Sequence, residues 1–219
     1  YHLMKNPEAF GLPQVDLPPV DYKEVTKRIQ SVISTIQEHD SEERFCNLGA
    51  RVEFGQATFI DEHAIRLDDK TFSAKKWVIA TGSSPSAPAI EGLDKTPYMT
   101  NREIFALDHL PKSMIILGAG PIATEMSQAF CRLGSKVSVV QRSNQILSKE
   151  DKDMADQVRE VLRAEGVTFY LNSSIVHTKA LGNEREVVIK SQEGETTQLR
   201  AETILVAMRA RPHAMTIVV

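Results

Sequence analysis

Gly118, Gly120 and Ala123 are spaced as G-x-G-x-x-A and follow directly on the apolar run Ser113-Met-Ile-Ile-Leu117. Strand, Gly-rich turn and helix in that order are what a dinucleotide phosphate site requires, here with Ala in the third small position. Gly118 permits the tight turn out of the strand. Gly120, lacking a Cβ, lets the backbone approach a pyrophosphate, and Ala123 is small enough for the helix to pack closely on the strand. Pro121 and Ile122 lie in the first turn of that helix, whose free N–H groups and partial positive charge favour phosphate. A strand–helix turn that uses its glycines for packing alone would show the same spacing, so the flanking elements have to choose between the two.

Those elements fall in order. The helix runs through Glu125, Met126, Ala129 and Phe130 and stops near Gly134, a C-terminal glycine. A second strand follows, Lys136-Val-Ser-Val-Val140, and closes a βαβ unit of about 30 residues. An NAD site places an acid about 20 residues on, at the end of that strand, to bind the ribose 2′-hydroxyl. Here the position is Gln141, followed by Arg142 and Ser143. No carboxylate is left to repel a 2′-phosphate, and a guanidinium stands where it can pair with one. Such a charge-assisted bond contributes roughly 1.5–3 kcal/mol, or about ten- to a hundredfold in affinity. The residues therefore predict NADP(H) over NAD(H); the alternative is that Arg142 is an ordinary solvated residue at a strand end.

The bulk properties set the frame for this unit. The chain has 219 residues, 42% hydrophobic and 25% charged, which is room for one or two soluble domains with a proper core. A net charge of −3 argues against nucleic acid as the main partner. No apolar run approaches a membrane span, and no secretory signal is present. The two cysteines, Cys46 and Cys131, have no redox or metal spacing, so a reducing, cytoplasmic setting is expected, with Cys131 a small buried residue. The histidines form no cluster, and no metal site is assigned.

The sequence also repeats its own plan. Gly166–Tyr170, a set of alternating strands and the buried strand Ala201–Ala207 are echoed by Ala50–Phe54, a shorter strand set and Ala74–Ala80. An amphipathic helix precedes each copy. Asp21 and Glu24 open one, with Val25, Ile29, Val32, Ile33 and Ile36 on its inner face. Asp151 opens the other, with Met154, Val158, Val161 and Leu162 facing inward. The second copy has the strand–G-x-G-x-x-A–helix unit in front of it, and the first does not. The chain starts at Tyr1 and ends on Thr216-Ile-Val-Val219, so it is expected to be an internal piece of a molecule with two tandem dinucleotide folds.

Three motifs resemble one family. Ala80-Thr81-Gly82-Ser83-Ser84-Pro85, Gly118-Ala-Gly-Pro-Ile-Ala-Thr-Glu125 and Leu205-Val-Ala-Met-Arg-Ala-Arg-Pro212 are similar, in residues and in separation, to the flavin-dependent pyridine nucleotide-disulfide oxidoreductases. Within the family the sequence looks most like the mercuric reductase and dihydrolipoyl dehydrogenase-like branch, and Gln141-Arg142-Ser143 is similar to the NADPH-binding turn of mercuric and glutathione reductases. The resemblance implies an α/β fold: a Rossmann-like NAD(P)-binding domain with a β-meander over residues 99–219, plus an incomplete FAD-domain segment over residues 1–98. It implies that Thr81 and Gly82 turn beside FAD, that Gly55 and Ala57 lie near the adenine, and that Glu125 faces the nicotinamide. A first-turn acid stabilised by the helix dipole is the other account of Glu125. The family's second Thr-Gly-Arg turn is altered here, with Arg209 and Ala210 at two of its positions.

In such enzymes NADPH reduces FAD, FAD reduces a Cys-x-x-x-x-Cys disulfide, and the dithiol reduces the substrate. This sequence has no Cys-x-x-x-x-Cys, no first G-x-G-x-x-G and no C-terminal His-Glu pair, so no catalytic residue is assigned. The expectation is a fragment of an FAD-dependent oxidoreductase that passes hydride from NADPH to flavin and on to a disulfide or a metal or thiol substrate. By itself it should be inactive and unable to hold FAD, though able to bind the small-molecule nucleotide. The parent is expected to be a homodimer through a C-terminal domain not in this sequence. The competing expectation is a non-enzymatic nucleotide-sensing module. The electron acceptor stays open between mercuric ion, lipoamide, a small disulfide and NAD.

Overall fold

A computed structural model of the chain describes residues 1–208 and 210–212. In chain order the helices are α1 (His2–Lys5), α2 (Tyr22–His39), α3 (Glu42–Asn47), α4 (Pro121–Leu133) and α5 (Lys152–Ala164). The strands are β1 (Ala57–Phe59), β2 (Ala64–Leu67), β3 (Lys70–Ser73), β4 (Ser83–Pro85), β5 (Ser113–Leu117), β6 (Lys136–Val140), β7 (Thr168–Tyr170), β8 (Ser173–Leu181), β9 (Glu184–Ser191), β10 (Thr196–Ala201), β11 (Thr203–Val206) and β12 (Ala210–Pro212). They sort into two compact units. Among the described residues, one comprises residues 1–26 with 87–208, the other residues 27–86 with 210–212.

The first unit is built on a four-stranded parallel sheet in the order β11-β5-β6-β7. Its centre, β5, is apolar at four successive positions, as a strand buried on both faces must be. Alternation then sends Met114 and Ile116 to one face and Ile115 and Leu117 to the other. The Met114 face meets Ala123 and Phe130 of α4, Ala155 and Leu162 of α5, and Tyr22 at the start of α2. The Ile115 face is covered by Val187, Ile189 and Leu199 of the antiparallel meander β8-β9-β10. Helices, parallel sheet and meander thus make three layers, the α/β fold expected.

The βαβ unit forms as its sequence implies. α4 is capped by Gly120 at its start and by Gly134 (φ 121°) at its end. Ser135 turns into β6, its hydroxyl donating to the Pro111 carbonyl at 2.5 Å. The inner face expected of α5 is displaced in the structure: of the four expected residues only Leu162 is buried, joined by Ala155, while Met154, Val158 and Val161 are exposed. The apolar stripe is wider than the contact, because a helix lying on a sheet buries only the side turned to it.

The second unit carries a smaller antiparallel sheet, β1-β2-β3, and the two-stranded pair β12-β4. Phe59 packs edge-on against Trp77, with ring centroids 6.1 Å apart. The meander of the first copy is therefore present, but its two outer strands are not. Residues 50–54 are not a strand, and 74–80 lie outside any strand, with Val78 89% exposed. The physical reason is visible in the other copy, where β11 is buried because its backbone pairs in parallel with β5. Among the described residues no strand lies beside 74–80. The remainder of α2 shows the same correction, since Val32 and Ile36 of the expected inner face are exposed.

Candidate functional site

The strand order reverses beside β5: the chain moves from β5 to β6 and β7 on one side and returns as β11 on the other. In an open α/β sheet, ligands bind at the carboxyl ends of the strands at such a switch point. Gly118 sits there. Its N–H donates to the Val140 carbonyl at 2.9 Å, and Ala207 N–H donates to the Leu117 carbonyl at 2.9 Å. The backbone leaving β11 passes so close that a Cβ on Gly118 would lie 2.6 Å from the Ala207 carbonyl oxygen, and φ is +102°. Two independent constraints thus require glycine at this position.

Gly120 differs. Its φ of −77° and ψ of −174° suit any residue, and nothing lies within 4 Å of a would-be Cβ. The bare backbone faces open space, as a close-approaching ligand needs. Pro121 starts α4 without an N–H, and Thr124 N–H is taken by the Gly120 carbonyl at 3.0 Å. That leaves the Ile122 and Ala123 amides as first-turn donors with no carbonyl one turn back. Ala123 itself is fully buried against the sheet, the close packing its size allows. Glu125 is exposed and falls in the second turn; no acid occupies the first turn, so helix-dipole stabilisation does not account for it.

At the end of β6, Gln141 N–H donates to the Tyr170 carbonyl at 2.9 Å, and the Gln141 carbonyl accepts from Ser173 N–H at 3.0 Å. Gln141 Nε2 donates to Ser143 Oγ at 2.8 Å, and that hydroxyl donates to the Gln145 carbonyl at 2.9 Å. The Ser143 carbonyl accepts from Asn172 N–H at 3.0 Å. Arg142 is therefore held at the backbone by both neighbours while its side chain is exposed. Among the described residues no carboxylate forms an ion pair with it. The structure thus gathers Gly118, Gly120, Pro121, Ile122, Ala123, Gln141, Arg142 and Ser143 at the carboxyl ends of two adjacent strands.

Leu147 belongs to the same region and was not legible as such in the sequence. Its N–H donates to the Ala119 carbonyl at 2.7 Å, tying the loop after β6 to the Gly-rich turn. The one signal for it was Ile146-Leu147, an apolar pair inside an otherwise polar loop; Ile146 is buried in the core.

Gly55, Ala57, Thr81 and Gly82 all lie exposed in the second unit. Gly55 has φ +155°, and a Cβ there would be 2.5 Å from Asp68 Oδ2; Gly82 turns at φ +67° into β4. Among the described residues of this unit no Gly-rich turn opens onto a helix. Arg209 lies outside the described residues.

Other polar clusters stand apart from the switch point. A cleft of about 650 Å³ opens where β5 and β11 begin, at the opposite end of the sheet, and is lined by Tyr98, His109, Lys112, Arg185 and Glu202 among others. Burial pushes the half-buried Cys131 thiol up, with Glu165 adding to the shift, which favours its protonated form. Among the described residues no group of three or more His, Cys, Asp or Glu could hold a metal ion, and no helix is long and apolar enough to cross a membrane.

Known proteins are similar to this chain in sequence and in fold. Over 212 residues the chain is 27% identical to a mercuric reductase of Lysinibacillus sphaericus, a match covering 97% of this chain and 38% of that protein. Over 166 residues it is 32% identical to a mercuric reductase of Shigella flexneri, covering 73% of this chain and 29% of that protein. The Cu(II) complex of the HOCl-induced flavoprotein disulfide reductase RclA from Escherichia coli superposes with a TM-score of 0.74 at 28% identity, covering 90% of this chain and 45% of that one. The chain spans less than half the length of each of these relatives. The sequence profile described as pyridine nucleotide-disulphide oxidoreductase matches residues 9–216. The chain therefore belongs to the pyridine nucleotide-disulphide oxidoreductase family.

Proposed function

We propose that this chain is the NADPH-binding part of a flavin-dependent oxidoreductase, taking the pyrophosphate at Gly118–Ala123 and the 2′-phosphate at Arg142. The observation that carries this reading is the pairing of an open helix start after β5 with an exposed arginine, unopposed by a carboxylate, after the adjacent β6. The Ile122 and Ala123 amides offer hydrogen bonds and the α4 dipole offers partial charge to the pyrophosphate. Arg142 supplies a charge-assisted donor that binds an anionic 2′-phosphate more strongly than a neutral ribose hydroxyl. Gln141 carries no negative charge with which to hold an unphosphorylated ribose as a carboxylate would, and its Nε2 is engaged with Ser143 Oγ.

NADPH supplies a hydride when bound, and a flavin is its acceptor in the activity proposed for the whole protein, with a disulfide or a thiol-bound metal as terminal substrate. The names of the mercuric and disulfide reductase relatives favour that class of acceptor. No redox step is assigned to residues of this chain, which alone should neither retain flavin nor turn over. The test is a calorimetric titration of the full chain with NADPH and, in parallel, NADH. Saturable NADPH binding at least about tenfold tighter than NADH is expected. Tighter NADH would overturn the cofactor assignment, and binding of neither would overturn the reading.

A further inference from the structure

We infer that Leu147 is a positioning residue whose backbone sets the spacing between the Gly-rich turn and Arg142, and thereby the preference for a 2′-phosphorylated dinucleotide. The inference rests on the nucleotide reading above and deepens it. A ligand held at two phosphate groups needs its two binding elements at a fixed separation. The Gly-rich turn and Arg142 sit on different connections, one after β5 and one after β6. Leu147 N–H to the Ala119 carbonyl, at 2.7 Å, is a direct tie between those connections.

The conformation of Leu147 shows how firmly that tie is built. Its φ is +48°, in the left-handed region that non-glycine residues seldom adopt. Such a conformation persists where its surroundings over-determine it. Here the preceding Ile146 is buried in the core, and the Leu147 side chain packs against that same core. The Leu147 carbonyl accepts from Glu150 N–H at 2.8 Å. Gln145 Nε2 donates to the Glu150 carbonyl at 2.9 Å, and Ser143 Oγ reaches the Gln145 carbonyl. A chain of hydrogen bonds thus runs from the residue beside Arg142 to the residue between the two glycines.

The test compares Leu147→Gly, Leu147→Val and Leu147→Pro in the full chain, reading the ratio of NADH to NADPH dissociation constants. Glycine keeps the N–H and adopts positive φ freely, so the wild-type ratio is expected to survive. Valine keeps the N–H but is β-branched and resists positive φ; proline removes the N–H and fixes φ negative. For both, the ratio is expected to fall to within about twofold of unity, while NADH affinity changes by less than about threefold. A wild-type ratio in the valine variant overturns the inference and leaves the nucleotide site standing. Equal loss of both nucleotides in that variant also overturns it, making Leu147 a structural residue only. A wild-type chain that binds neither nucleotide removes the nucleotide reading and this inference with it.

Discussion

The carbonyl oxygen of Ala207 lies 2.6 Å from where a Cβ on Gly118 would sit. The clash is with backbone at the end of β11, which is itself hydrogen-bonded to Leu117 and has no rotamer by which to retreat. Gly118 is thus a glycine of the fold, whereas Gly120, with open space on its Cβ side, is the one proposed to serve the ligand. Gly118→Ala should destabilise the chain by about 1–3 kcal/mol in urea denaturation. Gly120→Ala should leave stability within about 0.5 kcal/mol of wild type yet weaken both NADPH and NADH. Equal loss of stability in the two variants would contradict this division of labour.

Arg142 is the proposed reader of the 2′-phosphate. Arg142→Ala should weaken NADPH by about ten- to a hundredfold and NADH by less than about twofold, measured by calorimetry. Adding Gln141→Glu should turn the preference toward NADH, because a carboxylate at the strand end accepts the ribose hydroxyl and repels phosphate. Parallel loss of both nucleotides in Arg142→Ala would argue against a 2′-phosphate contact.

His109 predicts a pH dependence. Its Nδ1 lies 2.5 Å from Asp108 Oδ1 and its Nε2 2.8 Å from Glu202 Oε1. Ionised carboxylates only accept, so both ring nitrogens must donate, and the imidazole is held as the cation. Its pKa is accordingly raised above the ordinary 6.5, first by Asp108 and then by Glu202. Burial pushes Glu202 up, but the Lys112 backbone N–H and His109 outweigh it and hold the carboxyl below its usual range. Asp108 is lowered by His109, with Lys23 a minor contributor. The contribution of the raised histidine is complete below pH 6.5 and is lost as pH rises through the folded value; that of the carboxylates is lost only in acid. Urea midpoints should therefore decline as pH rises above about 6.5, and His109→Gln should flatten that decline. An unchanged slope in the variant would exclude His109 as its source.

Arg132 and Glu165 join the end of α4 to the end of α5 through two bonds, Nε to Oε2 at 2.8 Å and a terminal nitrogen to Oε1 at 2.6 Å. Arg132 holds the Glu165 carboxyl below its usual range. Arg132→Met leaves this largely buried carboxylate with only the longer contacts from Gln128 and His2 and should destabilise by about 1–3 kcal/mol. Arg132→Lys keeps the charge, loses the fork and should fall between the variant and wild type, read from urea midpoints.

Much of the proposed nucleotide site was legible because it is local. A buried strand, a turn that needs small residues and a helix that follows at once are written consecutively from Ser113 to Leu133, and Gln141–Arg142 sits at a spacing the βαβ unit fixes. The apolar faces of α2 and α5 were legible as periodicity, yet periodicity says which residues share a face and not how much of that face finds a partner; Val32, Ile36, Met154 and Val161 stayed exposed. Residues 74–80 read as a buried strand like 201–207, but a strand is buried by the ladder beside it, and only the second copy has β5. The sequence by itself therefore determined the Gly-rich turn, the helix after it and the base at the end of the next strand, since each follows from short-range geometry. The tertiary structure alone decided that Ala207 would exclude a side chain at Gly118 and that Leu147 would bond Ala119, because both are contacts between segments that the parallel sheet brings together and the sequence keeps apart.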